Sequence, residues 1–128
     1  MPPDHAEEMR RYLKAATYGD VQAQANIGWL YLNGLGVLQD YAEAARWYRK
    51  AAEQGDISAQ CNLGSLYQHG LGLPQDYAEA VRWYRRAAEQ GYASAQSSLG
   101  VLYQAGLAGC GKSPCRTNND MILCMHYR

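Results

Sequence analysis

Residues 59–92 read AQCNLGSLYQHGLGLPQDYAEAVRWYRRAAEQGY, and residues 23–56 read AQANIGWLYLNGLGVLQDYAEAARWYRKAAEQGD. The first stretch restates the second 36 positions later, as the step from Ala23 to Ala59 shows. Working outward, a shorter copy, AQSSLGVLYQAGL, begins at Ala95. Upstream, DHAEEMRRYLKAATYGD from Asp4 matches DYAEAARWYRKAAEQGD from Asp40 in the same register. Self-similarity at such a period marks stacked units rather than one closed core. The reading is an array over residues 1–108: a half unit (4–20), two whole units (21–56 and 57–92) and a second half unit (93–108). A non-repeat tail, 109–128, follows and is read as irregular.

Each unit reads as two helices. In the first, from Val21 to Asn33, Ala23, Ile27, Leu30 and Tyr31 recur at three- and four-residue steps on one face. GLGV breaks it, because glycine accepts backbone angles that other residues resist. The second opens at Asp40-Tyr-Ala-Glu43, an acidic cap with Glu three residues on, which predicts a capping box. Asp4…Glu7 and Asp76…Glu79 repeat it. The apolar stripe is Ala44, Trp47, Tyr48 and Ala51, and the helix stops at Gly55, as its counterparts stop at Gly19 and Gly91. The fold class is all-α: six helices in antiparallel hairpins, an α-solenoid with a right-handed superhelix. Gly28, Gly64 and Gly100 fall mid-helix, where glycine costs about 1 kcal/mol against alanine. Their recurrence predicts close approach of helix backbones.

These residues resemble the Sel-1-like repeat family, relatives of the tetratricopeptide repeats. Ala59, Leu63, Gly64, Tyr67, Gly70, Gly72, Asp76, Ala80, Trp83, Tyr84, Ala87, Ala88 and Gly91 match the family pattern. The preceding unit matches too, with Ile27 in place of Leu, and the likeness covers residues 4 to about 107. The resemblance implies an α-solenoid that serves as a protein-interaction scaffold or adaptor. The family's cysteine-rich branches carry a disulfide inside each repeat, whereas only Cys61 lies within these repeats, so that chemistry does not carry over.

Composition sets the outer bounds. Twelve basic and 12 acidic residues cancel, which leaves no electrostatic footprint for nucleic acid or an anionic membrane. No apolar run approaches the ~18 residues of a membrane span, and the start lacks the apolar stretch of a secretory signal. A cytoplasmic location is expected, or a periplasmic or secreted one if the N-terminus is truncated. Phe is absent while Tyr occurs 11 times, so tyrosine and the three Trp carry the aromatic burial.

One motif competes with this reading. GLAGCGKS, Gly106 to Ser113, fits the phosphate-binding pattern G-x-x-x-x-G-K-[ST]. A working loop of that kind joins a buried strand to a helix, whose N-terminus meets the phosphates. Here a helical repeat precedes it, Pro114 follows at once, and Gly106 already belongs to the repeat register. The match reads as coincidence, with no nucleotide cofactor. Cys110, Cys115, Cys124 and His126 are zinc-ligand types, but C-x4-C-x8-C-x-H fits no compact zinc module, so no metal is expected. A metal- or nucleotide-binding tail, or a slice of a longer array, stands as the alternative function.

His5 and His69 read as solvated, and Cys61, at the place of Ala25 and Ser97, as a small half-buried thiol. Columns of basic residues (Arg10, Arg46, Arg82; Lys14, Lys50, Arg86; Arg49, Arg85) read as a solvated face paired with Glu53 and Glu89. Leu99, Leu102 and Tyr103 are expected to project an apolar face that normally meets a following helix, covered here either by Met121–Tyr127 folding back or by end-to-end self-association. The partner is a protein or peptide, and the chain is read as non-enzymatic. Positions that vary between repeats are free of the scaffold's demands and available for recognition. Asn26, Trp29 and Asn33, with their counterparts Asn62 and His69, are therefore assigned to a concave groove.

Overall fold

The computed structural model describes residues 4–106, with the backbone of Gly109–Cys110 and Ser113–Pro114. Six helices follow in order: α1 His5–Thr17, α2 Val21–Asn33, α3 Tyr41–Glu53, α4 Ile57–His69, α5 Tyr77–Glu89 and α6 Ala93–Gln104. Each packs on the helices before and after it in the chain, which builds a helical solenoid of period 36. After α6, β1 (Gly109–Cys110) and β2 (Ser113–Pro114) pair antiparallel. No helix among the described residues is long and apolar enough to cross a membrane.

The helix ends follow from local chemistry. Asp40 and Asp76 accept the backbone N–H of Glu43 and Glu79 at 3.1 Å, satisfying donors that the first turn leaves free. The expected capping box forms on one side only. Its return bond would need the N–H of Asp40 and Asp76, and those already donate to the Tyr31 and Tyr67 carbonyls, at 3.0 and 2.9 Å. Glu43 and Glu79 instead accept from Arg46 and Arg82, at 3.0 and 2.6 Å, and Glu7 accepts from Arg10.

The turn between the paired helices needs its second glycine for space as well as for angle. Gly72 has φ +73°, and a Cβ there would stand 2.3 Å from the carbonyl carbon of Tyr41 at the start of α3. The loop after α4 thus rests directly on the backbone of the preceding repeat.

Between helices, tyrosine rings lie on glycines. A Cβ on Gly28 would come within 3.1 Å of the Tyr48 ring, and one on Gly64 within 2.9 Å of the Tyr84 ring. Both rings are buried, so the recurring glycine is the seat of a recurring tyrosine. Tyr84 also donates its hydroxyl to Gln68 at 2.7 Å. Tyr48 has Leu32 at the equivalent place, and its buried hydroxyl has no hydrogen-bond partner among the described residues. Burial, with the Asp56 charge a lesser cause, pushes the Tyr48 phenol well above the ordinary tyrosine range.

Polar side chains join successive repeats. Gln54 donates to Gln24 at 2.7 Å and Gln90 to Gln60 at 3.2 Å, while buried Gln60 donates to the Ala52 carbonyl at 3.2 Å. Arg49 donates to the Tyr67 hydroxyl, and Arg85 to that of Tyr103 at 2.6 Å. Two of the basic columns, Arg10, Arg46, Arg82 and Lys14, Lys50, Arg86, are exposed as expected, and the third, Arg49 and Arg85, departs from a solvated face. Arg10, Arg46 and Arg82 pair with the acid three residues before them, and Arg49 and Arg85 reach across to the next helix.

A second correction concerns α6. Leu99, Leu102 and Tyr103 are buried rather than displayed. They share the register of Leu63, Leu66 and Tyr67, and the Arg85–Tyr103 bond shows that this stripe turns back toward α5. Val101 instead faces outward, 57% exposed.

Candidate interaction surface

On α2 the sequence loads two stripes for packing. Ala23, Ile27 and Leu30 are buried, and Ala25 and Gly28 are buried as well. What remains is a narrow outward line that includes Gln22, Trp29 and Asn33. Trp29 is 49% exposed although the residues on either side of it, Gly28 and Leu30, are buried. Its counterparts are half-buried Ser65 and exposed Val101, so the scaffold never asks for an aromatic at this place. Asn33 donates its amide to the Trp29 carbonyl at 2.9 Å. On α4, His69 Nδ1 lies 3.0 Å from the Ser65 carbonyl oxygen, a contact it can make as an Nδ1–H donor. Asn33 and His69 are thus equivalent residues in equivalent roles, each folded onto its own helix near the C-terminal end.

Asn26 and Asn62 are half-buried and hold the same register position in successive repeats. Asn26 accepts from Gln22 at 3.4 Å and lines a groove of about 400 Å³ between α1 and α2. Arg11, Tyr12, Asp20 and Gln22 share that groove. Of the five residues assigned from sequence, Trp29 and Asn33 are joined by a bond, and Asn26 opens onto the groove beside α1. Asn62 and His69 lie one repeat further on, and no hydrogen bond among the described residues links them to the α2 trio.

Sequence reasoning missed Arg11 and Tyr12. Tyr12 matches Tyr48 and Tyr84, both buried, and its register alone does not set it apart from them. The available signal was Arg11, an arginine at the place of Trp47 and Trp83. It marks α1 as a helix whose outer stripe is built for water.

Other titratable groups have structural explanations. Burial raises the Cys61 thiol above its ordinary range, which keeps it protonated and a poor nucleophile. Among the described residues, no three of His, Cys, Asp and Glu converge as a metal cage would require. Lys112 of GLAGCGKS, the segment Met121–Tyr127 and the side chains of Cys110, Cys115, Cys124 and His126 lie outside the described residues. The described element before that motif is helix α6, not a strand.

The profile of the Sel1 repeat matches residues 21–56, 57–92 and 93–114. Its third match therefore runs on into the segment read above as tail. No curated protein sequence matches the chain. Among solved structures, the chain is similar to a protective antigen of uropathogenic Escherichia coli strains that displays an SLR fold. They share 45% identity and a TM-score of 0.81, over 84% of this chain and 23% of that one. It is also similar to a Sel1 repeat protein from Oxalobacter formigenes, with 42% identity and a TM-score of 0.73, over 78% and 42% of the two chains. Cysteine-rich protein B of Helicobacter pylori shares 26% identity and a TM-score of 0.67, over 71% and 68%. The chain spans less than half the length of the first two.

Proposed function

The chain belongs to the Sel1 repeat family, and on that premise we propose that it holds a peptide or protein segment on the face carrying Trp29, Asn33, Asn62 and His69, with Asn26 at its edge. Sel1 repeat proteins are generally interaction scaffolds and typically non-enzymatic. The observation that carries this reading is Trp29, half-exposed on a helix whose neighbouring side chains are buried. An exposed indole offers a large apolar area at low entropic cost, and such residues dominate binding energy at interfaces. The amides of Asn26, Asn33 and Asn62 supply donors and acceptors suited to a peptide backbone.

The test is Trp29→Ala, read by thermal unfolding and by affinity capture from a lysate of the source cells. The expected outcome is a melting temperature within about 2 °C of the parent, as for an exposed site, with loss of the captured proteins. A large fall in melting temperature, or an unchanged set of captured proteins, would refute the assignment.

A further inference from the structure

Gly100 stands in the register of Gly28 and Gly64, yet a Cβ on it would meet nothing within 4 Å among the described residues. The stripe around it, Ser97, Gly100 and Gln104, is exposed or half-exposed. The equivalent Cys61 and Gly64 of α4 are buried, with α5 and its Tyr84 ring seated on Gly64. Helix α1 carries the matching half of that contact. Tyr12 is the equivalent of Tyr48 and Tyr84, and Ala15 the equivalent of Ala51 and Ala87. Those four inner residues are buried, whereas Tyr12 and Ala15 are half-exposed and line the groove beside α2.

We propose that α1 of one copy docks on α6 of a second copy as α3 docks on α2, seating the Tyr12 ring over Gly100. The occupant is a second copy because Tyr12 and Ala15 on one half and Gly100 and Gln104 on the other repeat the paired residues of the inner contacts, and the chain makes the same contact twice within itself. Gln104 strengthens the match. It is the counterpart of Gln68, which accepts the Tyr84 hydroxyl at 2.7 Å, so it offers the Tyr12 hydroxyl the same acceptor. The contact is heterologous, each copy bearing one head and one tail, so association gives open-ended rows rather than closed dimers.

One residue holds this contact weak. Glu8 occupies the place of Ala44 and Ala80, both fully buried, and is bonded to His5 at 2.7 Å. Docking takes its carboxylate out of water, which opposes association. Glu8→Ala removes that opposition.

Sedimentation equilibrium of the full chain over a wide concentration range tests the proposal. The average mass of the parent rises with concentration. Gly100→Leu blocks the tail and Ala15→Arg blocks the head, so each variant alone stays monomeric with an unchanged helical circular-dichroism signal. Mixed in equal amounts they form a dimer of one copy each and nothing larger. Glu8→Ala associates at a concentration about tenfold lower than the parent, the equivalent of about 1.4 kcal/mol. If either blocking variant loses helical signal, Gly100→Val and Tyr12→Ser take their places. Three results would overturn the proposal. The parent and Glu8→Ala both remain monomeric; or Gly100→Leu abolishes association while Ala15→Arg leaves it intact, the mark of a symmetric contact between two α6 helices. The third is a lower melting temperature for Gly100→Leu in dilute solution, which places another part of the same chain over Gly100.

Discussion

Gly64 and Gly100 hold the same place in successive repeats and have opposite surroundings. A Cβ on Gly64 would press into the Tyr84 ring at 2.9 Å and the Ala80 carbonyl oxygen at 3.2 Å, while one on Gly100 meets no described atom within 4 Å. Tyr84 and Tyr12 show the same divergence at the other end, the first buried and the second half-exposed. In a stacked array, stability is the sum of what each unit does alone and what it gains from its neighbours. Identical residues therefore differ in worth according to whether a neighbour stands on both sides.

The largest expected effect tests that difference on the tyrosines. Tyr84→Ala empties a buried site and strips Gln68 of its hydroxyl partner, so it should cost about 3–5 kcal/mol in urea unfolding. Tyr12→Ala, half-exposed, should cost about 1 kcal/mol or less. Equal losses would break the comparison.

Next in size is the turn glycine. Gly72→Ala forces a side chain to φ +73° and onto the Tyr41 backbone, and should cost about 3 kcal/mol. Gly106→Ala has a similar angle, φ +71°, but no described atom within 4 Å, and should cost only about 1 kcal/mol. The gap between the two melting curves measures the contact between repeats, separated from backbone strain.

The smallest is a gain. Leu32→Gln copies Gln68 into the previous repeat and gives the buried Tyr48 hydroxyl the acceptor that Tyr84 has. It should raise stability by about 1 kcal/mol. A loss would mean that the two inner hairpins are less alike than their register implies.

Much of this was legible beforehand because it is local. Helix α2 runs from Val21 to Asn33 as the periodicity predicts, and Asp40 and Asp76 cap as their positions suggest. Caps and periodic stripes are settled within a few residues, and the repeat gave each of them more than one reading. What escaped depends on partners far away in sequence. The inward turn of Leu99, Leu102 and Tyr103 follows from α5, and the work of Arg49 from Tyr67, 18 residues on. The one-sided capping box arises because a carbonyl of the previous helix has already taken the Asp40 N–H. At the candidate surface, Trp29 is 49% exposed and stands apart from the packing stripe. The groove beside Asn26 was invisible because Tyr12 is identical to its buried equivalents, and sequence identity says nothing about which copy lacks a neighbour.

The most direct measurement is a pair of thermal melts in dilute solution, Gly64→Leu against Gly100→Leu. Both substitutions exchange glycine for a better helix former, worth up to about 1 kcal/mol within a helix. At Gly64 the added volume must displace a buried ring, so the melting temperature should fall by about 10 °C or more, for a cost of about 2–3 kcal/mol. At Gly100 it should hold or rise by a few degrees, by about 4 °C at most for a gain of this size. Parallel falls in the two variants would contradict the account, because they would show that residues of equal register have equal surroundings and that α6 has no open face.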